Sequence, residues 1–483
     1  MIKKILNFYN KQSVVLRASL AYMVASLFVK GISIITMPIF TRLMSTSEMG
    51  VTTTFTSWQS LIGAVAGLAL TSGSYAVAMQ EFKDRRDQYE ASILVLSTLS
   101  SLVFGVIYIV SPNYWNSVLE LSTPLVALMI TGFIFLPATD YWLARQRFEY
   151  KYKKAVSISI ITSVLSAIVS VIFVYIAKNC EVESLGSVRL YGVYSITLLT
   201  GMCFYIIILK KVHFKIDFSF WKNALKINLP LVVHTLSKYI LDISDRTMIS
   251  KMIGKSAVGI YGTLYNLSSL SLIVWNAINN SIVPTMFENM SKGKEAEIKF
   301  NKNITLLVIV YGIFAFVLTL LAPEIVLLLT TQEYYEAIYI MPPIAAGIYF
   351  TALYNIFGNI LIYHKKTVLV MVSTIVAAIT NVGLNYIGIM YFGYMAASYT
   401  TLICYIILAV MQYILMVKVH GYDPFNTKLI VIVSLLMVVL CMSCLILYKF
   451  IIVRYILIVG LLLFCVIRRK RIISIFKSIK RKS

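Results

Sequence analysis

Fourteen apolar runs, each about the length needed to cross a bilayer, follow one another between residues 18 and 467. A helix needs ~20 residues to span the hydrocarbon core. The runs lie at 18–41, 51–78, 91–111, 122–143, 155–177, 189–209, 228–250, 258–286, 303–322, 337–362, 367–389, 393–417, 428–448 and 451–467. They are too long for barrel strands, and a helix satisfies its own backbone in lipid, so helices are the expected element. Runs two and eight are the weakest, being rich in Ser, Thr, Asn and Tyr. Composition agrees: 59% of residues are hydrophobic and 13% charged, where a soluble domain carries ~25% charged residues. A soluble enzyme with an anchor, a disordered chain and a secreted disulfide scaffold are excluded. The first run is long and lacks a small-residue cleavage site, so it reads as a span and not as a removable signal.

Lys and Arg set the orientation. With the N-terminus inside, segments 1–17, 79–90, 144–154, 210–226, 287–302, 363–366, 417–428 and 468–483 hold 33 of the 43 basic residues. The outer segments hold Arg42, Lys178, Arg189, Lys251, Lys255, Lys449 and Arg454, and Lys30, Lys238 and Arg246 remain within spans. Ten acids accompany the inner bases, so the inner side accounts for the whole net charge of +23. Both termini are therefore expected in the cytoplasm and the chain in the cytoplasmic (inner) membrane. This asymmetry explains the basic balance without nucleic acid as a partner. The tail Arg468-Arg469-Lys470-Arg471 with Lys477, Lys480, Arg481 and Lys482 suits anionic membrane lipids as well as it suits a topology signal.

Short loops exclude much else. The longest is on the order of twenty residues, too short for a nucleotide-binding domain or the large outer domain of a glycan polymerase. Gly254-Lys255-Ser256 resembles the end of a phosphate loop, but the upstream glycine position holds Ile249. Cys441-Met-Ser-Cys444 lies in an apolar helix and reads as packing, and Gly63-x-x-x-Gly67 reads as close helix contact. His213, His364 and His420 fall in separate inner loops without clustered ligands. No cofactor, metal site or catalytic residue is expected, and the chain does not read as an enzyme.

The chain also looks duplicated. A basic amphipathic lead precedes run one (Ile2, Ile5, Leu6 and Leu16 with Lys3, Lys4, Lys11 and Arg17) and another precedes run seven (Phe218, Trp221 and Leu225 with Lys215, Lys222 and Lys226). Such leads tend to lie in the interface plane. Residues 45–50 align with 254–259, which sets Lys30 one residue from Lys238. The expected fold is an all-α polytopic membrane protein of about fourteen transmembrane helices. Two six-helix lobes, 1–214 and 215–420, would be related by a pseudo-two-fold axis along the membrane normal, with two extra helices and a basic tail in 421–483. Parallel repeats place a transport site at their interface near the midplane.

Charge inside spans is the most informative feature. A Lys, Arg or Asp at a helix centre costs about 2.5–3.5 kcal/mol on insertion scales, so it should face a partner or a cavity. In run seven His234, Lys238, Asp242, Asp245 and Arg246 share one face. Asp242 and Arg246, four apart, fit a structural pair as well as a ligand site. His234 fits an interior hydrogen-bonding residue as well as a proton carrier, and Asp140, near the inner end of run four, fits an interfacial position. In run one Ser19, Tyr22, Ser26, Lys30 and Ser33 form a stripe with no acid in helical reach of Lys30. Runs two and eight add Thr52, Thr56 and Gln59, then Tyr261, Tyr265, Asn266, Trp275, Asn276 and Asn279.

Three stretches, in this order, carry a resemblance: Lys30-Gly-Ile-Ser33 with Pro38 to Arg42 and Gly50; Leu229-Pro230, Ser244-Asp-Arg246 and Val258 to Tyr261; Asn381 to Tyr386, Gly393 and Ala396 to Ser398. The chain resembles the polysaccharide (O-antigen or capsule repeat-unit) flippases of the multidrug/oligosaccharidyl-lipid/polysaccharide exporter superfamily. The resemblance implies carriage of an undecaprenyl-pyrophosphate-linked oligosaccharide from inner to outer leaflet by alternating access. Lys30, Lys238 and Arg246 would attract pyrophosphate, with Tyr22, Gln59, Tyr265, Asn266 and Asn276 along the sugars. Asp140, His234, Asp242 and Asp245 are the candidates for coupling to a proton or sodium gradient. Glycosyltransferases and a glycan polymerase are the implied partners. A peptidoglycan-precursor or teichoic-acid flippase, a multidrug cation exporter of the same superfamily and, as the competing class, a membrane glycan polymerase stay open.

Overall fold

A computed structural model describes residues 14–70, 73–149, 151–213 and 215–467. The lead at 1–13 and the basic tail at 468–483 lie outside the described residues. Nineteen α-helices occur among those described, and each of the fourteen expected runs is helical at its place. In chain order they are α1 Val14–Leu43, α2 Thr46–Ala66, α3 Gly73–Glu81, α4 Arg86–Val110, α5 Pro112–Leu119, α6 Thr123–Phe148, α7 Tyr152–Asn179, α8 Leu185–Lys211, α9 Ser219–Met252 and α10 Lys255–Ser268. Then follow α11 Ser271–Ser291, α12 Lys294–Leu320, α13 Ala322–Leu329, α14 Gln332–Tyr335, α15 Met341–Tyr363, α16 Thr367–Phe392, α17 Ala396–His420, α18 Thr427–Leu447 and α19 Ile451–Ile467. Among the described residues, ten helices are long and apolar enough to cross a membrane, and α10 with α11 as one bent span makes eleven. The chain is a multi-pass membrane protein.

Runs two and eight are each broken in two. The second run divides into α2 and α3 after Gly67, where Leu68 and Ala69 take left-handed backbone conformations that a continuing helix excludes. The eighth bends by 46° between α10 and α11. There the hydroxyls of Ser268 and Ser269 turn back onto the carbonyls of Leu264 and Asn266, both at 2.9 Å, an arrangement that bends helices.

The contacts group the chain into two compact units: residues 1–239 with 254–259, and residues 240–253 with 260–483. In the first, α1 packs on α7, α7 on α8, and α6 on both α4 and α8. Its core gathers Phe55, Val126, Met129, Phe133 and Tyr194 around α2, α6 and α8. In the second, α15 is buried along most of its length and packs against α12, α17 and α18. Cys441 and Cys444 are free thiols buried in α18.

The segments that align as repeats touch within the first unit. A Cβ on Gly50 would lie 1.8 Å from the Lys255 carbonyl oxygen, and one on Gly259 would lie 2.0 Å from that of Thr46. Only glycine allows this backbone contact between the first turns of α2 and α10. The hydroxyls of Thr46 and Ser256 hydrogen-bond at 2.8 Å beside it, and Lys255 Nζ donates to the Glu120 carbonyl at 2.9 Å. Ser45 caps α2 through the Glu48 N–H. The Glu48 carboxylate is spent elsewhere, on the Gly186 N–H at the start of α8.

Candidate functional site

Helix α1 presents three faces. Ala18 and Ala25 are buried. Val24, Phe28 and Ile35 are exposed apolar side chains on a second face. Lys30 is exposed on a third, mixed face, with Ser26 and Ser33 and the exposed apolar residues Met23 and Leu27. At 100° per residue the lysine stands well over a quarter turn from either of the others. Tyr22 lies at the edge of that face, with the Arg147 guanidinium 6.0 Å from its ring centroid and its hydroxyl buried without a hydrogen-bond partner among the described residues. Asp140 is exposed on α6, two turns before Arg147.

On α9 the exposed apolar residues Leu229 and Val233 lie across the helix from Lys238, itself exposed. No described acid forms an ion pair with Lys30 or Lys238. The charges farther along α9 are held differently. The Tyr261 hydroxyl donates to Asp245 at 2.6 Å, which is 2% exposed. The Tyr405 hydroxyl donates to Asp242 at 2.8 Å. The Arg246 guanidinium sits 4.4 Å above the ring centroid of Tyr265, and its Nε is buried without a hydrogen-bond partner among the described residues. Such a stack favours a desolvated cation. The spacing of four between Asp242 and Arg246 suggests a mutual pair; the side chains instead find tyrosines of α10 and α17. The side chain of His234 lies outside the described residues.

Tyr265 is buried beneath Arg246, with its hydroxyl 3.4 Å from that of Tyr405. Asn266 and Asn276 are exposed, and Gln59 is half-buried. Asn279 accepts from Asn359 at 3.0 Å. Beside these, Ser244 donates to Asn381 at 2.9 Å, as does the Asn385 amide, and Thr400 donates to Asn385. Sequence reasoning missed this buried polar set as a unit, although the spacing of Asn381 and Asn385 places both on one helix face. An apolar groove of about 520 Å³, lined by Pro38, Ile39, Arg42, Leu43, Val171, Ile172 and Tyr175, begins two turns beyond Lys30 and takes in none of the expected site residues.

One expectation needs correction. The inner-loop histidines are not all apart: His364 and His420 meet at 2.7 Å. They lie 56 residues apart in the chain, which hides the pairing from sequence.

These helices define a helical membrane protein in which the long helix α1 carries an exposed lysine. Residues 15–290 match the family described as "Polysaccharide biosynthesis protein", and residues 230–387 match the MatE family. The first match covers more than half of the chain, so the chain belongs to the polysaccharide biosynthesis protein family, as the resemblance implies. It is 22% identical over 405 residues to the "Probable low-salt glycan biosynthesis flippase Agl15" of Haloferax volcanii, with 82% of each chain covered. Its fold is similar to that of a solved "Lipid II flippase MurJ, inward closed conformation". The TM-score is 0.68 at 14% identity, over 93% of this chain and 99% of that one. It is also similar to an inward-facing "multidrug resistance MATE family transporter of the MOP superfamily". There the TM-score is 0.57 at 14% identity, over 84% and 98%.

Proposed function

We propose that the protein is a flippase that moves a polyprenyl-pyrophosphate-linked oligosaccharide from the inner to the outer leaflet of the cytoplasmic membrane. The observation that carries this reading is Lys30: an exposed cation in a membrane helix, beside Ser26 and Ser33, with no described acid partner. An ammonium there costs free energy unless it faces water or an anion. Pyrophosphate supplies the anion, and a lysine binds it as a point charge without demanding one geometry, which suits a group that must also be released. Lys238 would serve the same headgroup from α9. Tyr22, Gln59, Asn266 and Asn276 remain the candidates for hydrogen bonds to sugars. Asp140, His234, Asp242 and Asp245 remain the candidates for coupling to protons or sodium.

The family membership and the glycan flippase named above support a lipid-linked glycan as cargo and a transporter that makes and breaks no covalent bond. Basic inner segments support cytoplasmic termini. Glycosyltransferases would supply the cargo, and a glycan polymerase would take it. The MatE match favours a second reading, export of organic cations, but a lysine on the first helix repels such cargo.

The test replaces Lys30 or Lys238 with Ala in cells that depend on the protein for surface glycan. At matched protein levels, surface glycan falls; unchanged glycan for both variants would reject the charge role.

A further inference from the structure

A polar chain joins three helix ends in the second unit. Glu297, in the first turn of α12, is 2% exposed. Its Oε2 accepts from the Tyr422 hydroxyl at 2.5 Å and lies 3.0 Å from His420 Nε2. Its Oε1 is buried without a hydrogen-bond partner among the described residues. His420 Nδ1 meets His364 Nε2 at 2.7 Å. Helix termination builds this cluster. His364 is the residue after α15, followed by Lys365 with φ +58; His420 ends α17, followed by Gly421 with φ +84. Those left-handed turns stop both helices with their imidazoles side by side.

We infer that Glu297, His364, His420 and Tyr422 form a proton-binding clamp that accepts one proton with its contacts intact and parts when it accepts a second. The hydrogen count at the two facing nitrogens carries this for a second proton that lands on an imidazole. With both rings neutral, the His420 Nε2–H faces the carboxylate, and His420 Nδ1 accepts the Nε2–H of His364. One added proton makes a single imidazolium, still bonded to the neutral ring and balanced by the Glu297 carboxylate. A second proton places an N–H on each of the two facing nitrogens. Neither then accepts, and two like charges stand in contact, so the rings must separate. Titrations this close belong to the pair. Burial, and then the charge of His420, hold His364 below the ordinary histidine range, with Glu297 opposing both.

Among the described residues, Glu297 is the one acid that pairs with either histidine. Lys294 of α12 lies 4.5 Å over the Tyr422 ring. The Tyr363 ring stands edge-on to His364 and also meets Phe287 of α11, where Glu288 pairs with Lys292. Lys365, Lys366 and Lys418 flank the histidines in the chain, and Asp423 is taken up by Tyr413 and Thr427. This excess of cations makes the second proton still less favourable. The clamp would tie the ends of α12, α15 and α17 together near neutral pH and release them in acid.

The experiment is a pH titration of the full-length protein in detergent micelles, with ¹⁵N-labelled histidine observed by NMR. The chain has four histidines, so His213→Gln and His234→Gln variants isolate the pair. The expected result is two steps separated by more than ~1 pH unit, with the upper step lowered in Glu297→Gln. Hydrogen exchange in the segment 416–425 should accelerate several-fold across the lower step, and His364→Gln, which cannot take a charge, should abolish that acceleration. Two rings that titrate together as independent groups, or spectra that a chelator alters, would overturn the inference. The wild-type titration decides the matter even where a variant fails to fold.

Discussion

Helices α1 and α9 hold their charges differently, and α9 does so in two ways along its own length. On α1, Lys30 stands exposed with no described acid beside it. On α9, Asp242, Asp245 and Arg246 each engage a tyrosine from another helix. A buried carboxylate with a hydroxyl donor is anchored, and its removal leaves a buried polar group unpaired. An exposed lysine without such ties contributes little to folding and is available to a ligand. The comparison therefore sets an anchored group on α9, Asp242, Asp245 and Arg246, apart from two untied lysines, Lys30 on α1 and Lys238 on α9.

The largest effect that would sharpen this division is on stability at Asp245. Replacing it with Ala removes the acceptor of Tyr261 and uncovers the neighbouring Arg246 charge, a loss of about 3–5 kcal/mol for one member of a buried charged set. Folded yield and apparent Tm of the purified protein should both drop sharply; a variant as stable as the parent would break the distinction. Next is Gly259→Val, which forces a side chain into the backbone contact with Thr46 and should cost about 1–3 kcal/mol by overpacking. Thermal unfolding with Gly259→Ser as the smaller step measures whether the loss scales with side-chain size.

A change of similar size comes from Tyr405→Phe, which deletes one hydrogen bond to Asp242, worth about 1.5–3 kcal/mol when the partner is charged. Its Tm should fall less than that of Asp245→Ala. The smallest effect is at Glu149, just beyond α6. Burial acts to raise its carboxyl, but hydrogen bonds from Arg145 and Lys151 outweigh it and hold it at about 2. A depressed carboxyl stabilises the folded state above its unfolded value of ~4.5 and loses that contribution as pH falls towards 2. The Tm difference between the parent and Glu149→Gln should thus be constant above pH 6 and shrink between pH 4.5 and 2.

Much of the helical layout is legible in the sequence, because a bilayer demands long apolar runs whatever their packing. The breaks are less legible. Leu68 and Ala69 are ordinary apolar residues whose left-handed backbone nothing local announces, and the bend at Ser268 and Ser269 depends on hydroxyls choosing backbone carbonyls. Lys30 and Lys238 are visible as isolated charges because the cost of such a residue in lipid is a local fact. The partners on α9 are not. Tyr405 lies 163 residues from Asp242, and a spacing of four within one helix suggests a nearer pairing that the side chains do not use. The meeting of His364 and His420 is hidden for the same reason.

The most direct test reconstitutes the protein in vesicles with a fluorescent polyprenyl-pyrophosphate oligosaccharide and measures how fast label becomes accessible from the opposite leaflet. Lys30→Ala should lower that rate at least tenfold with Tm unchanged, and Lys30→Arg should retain much of it. An undiminished rate in Lys30→Ala, or a loss of rate explained entirely by loss of folded protein, would contradict the assignment of Lys30 to the cargo.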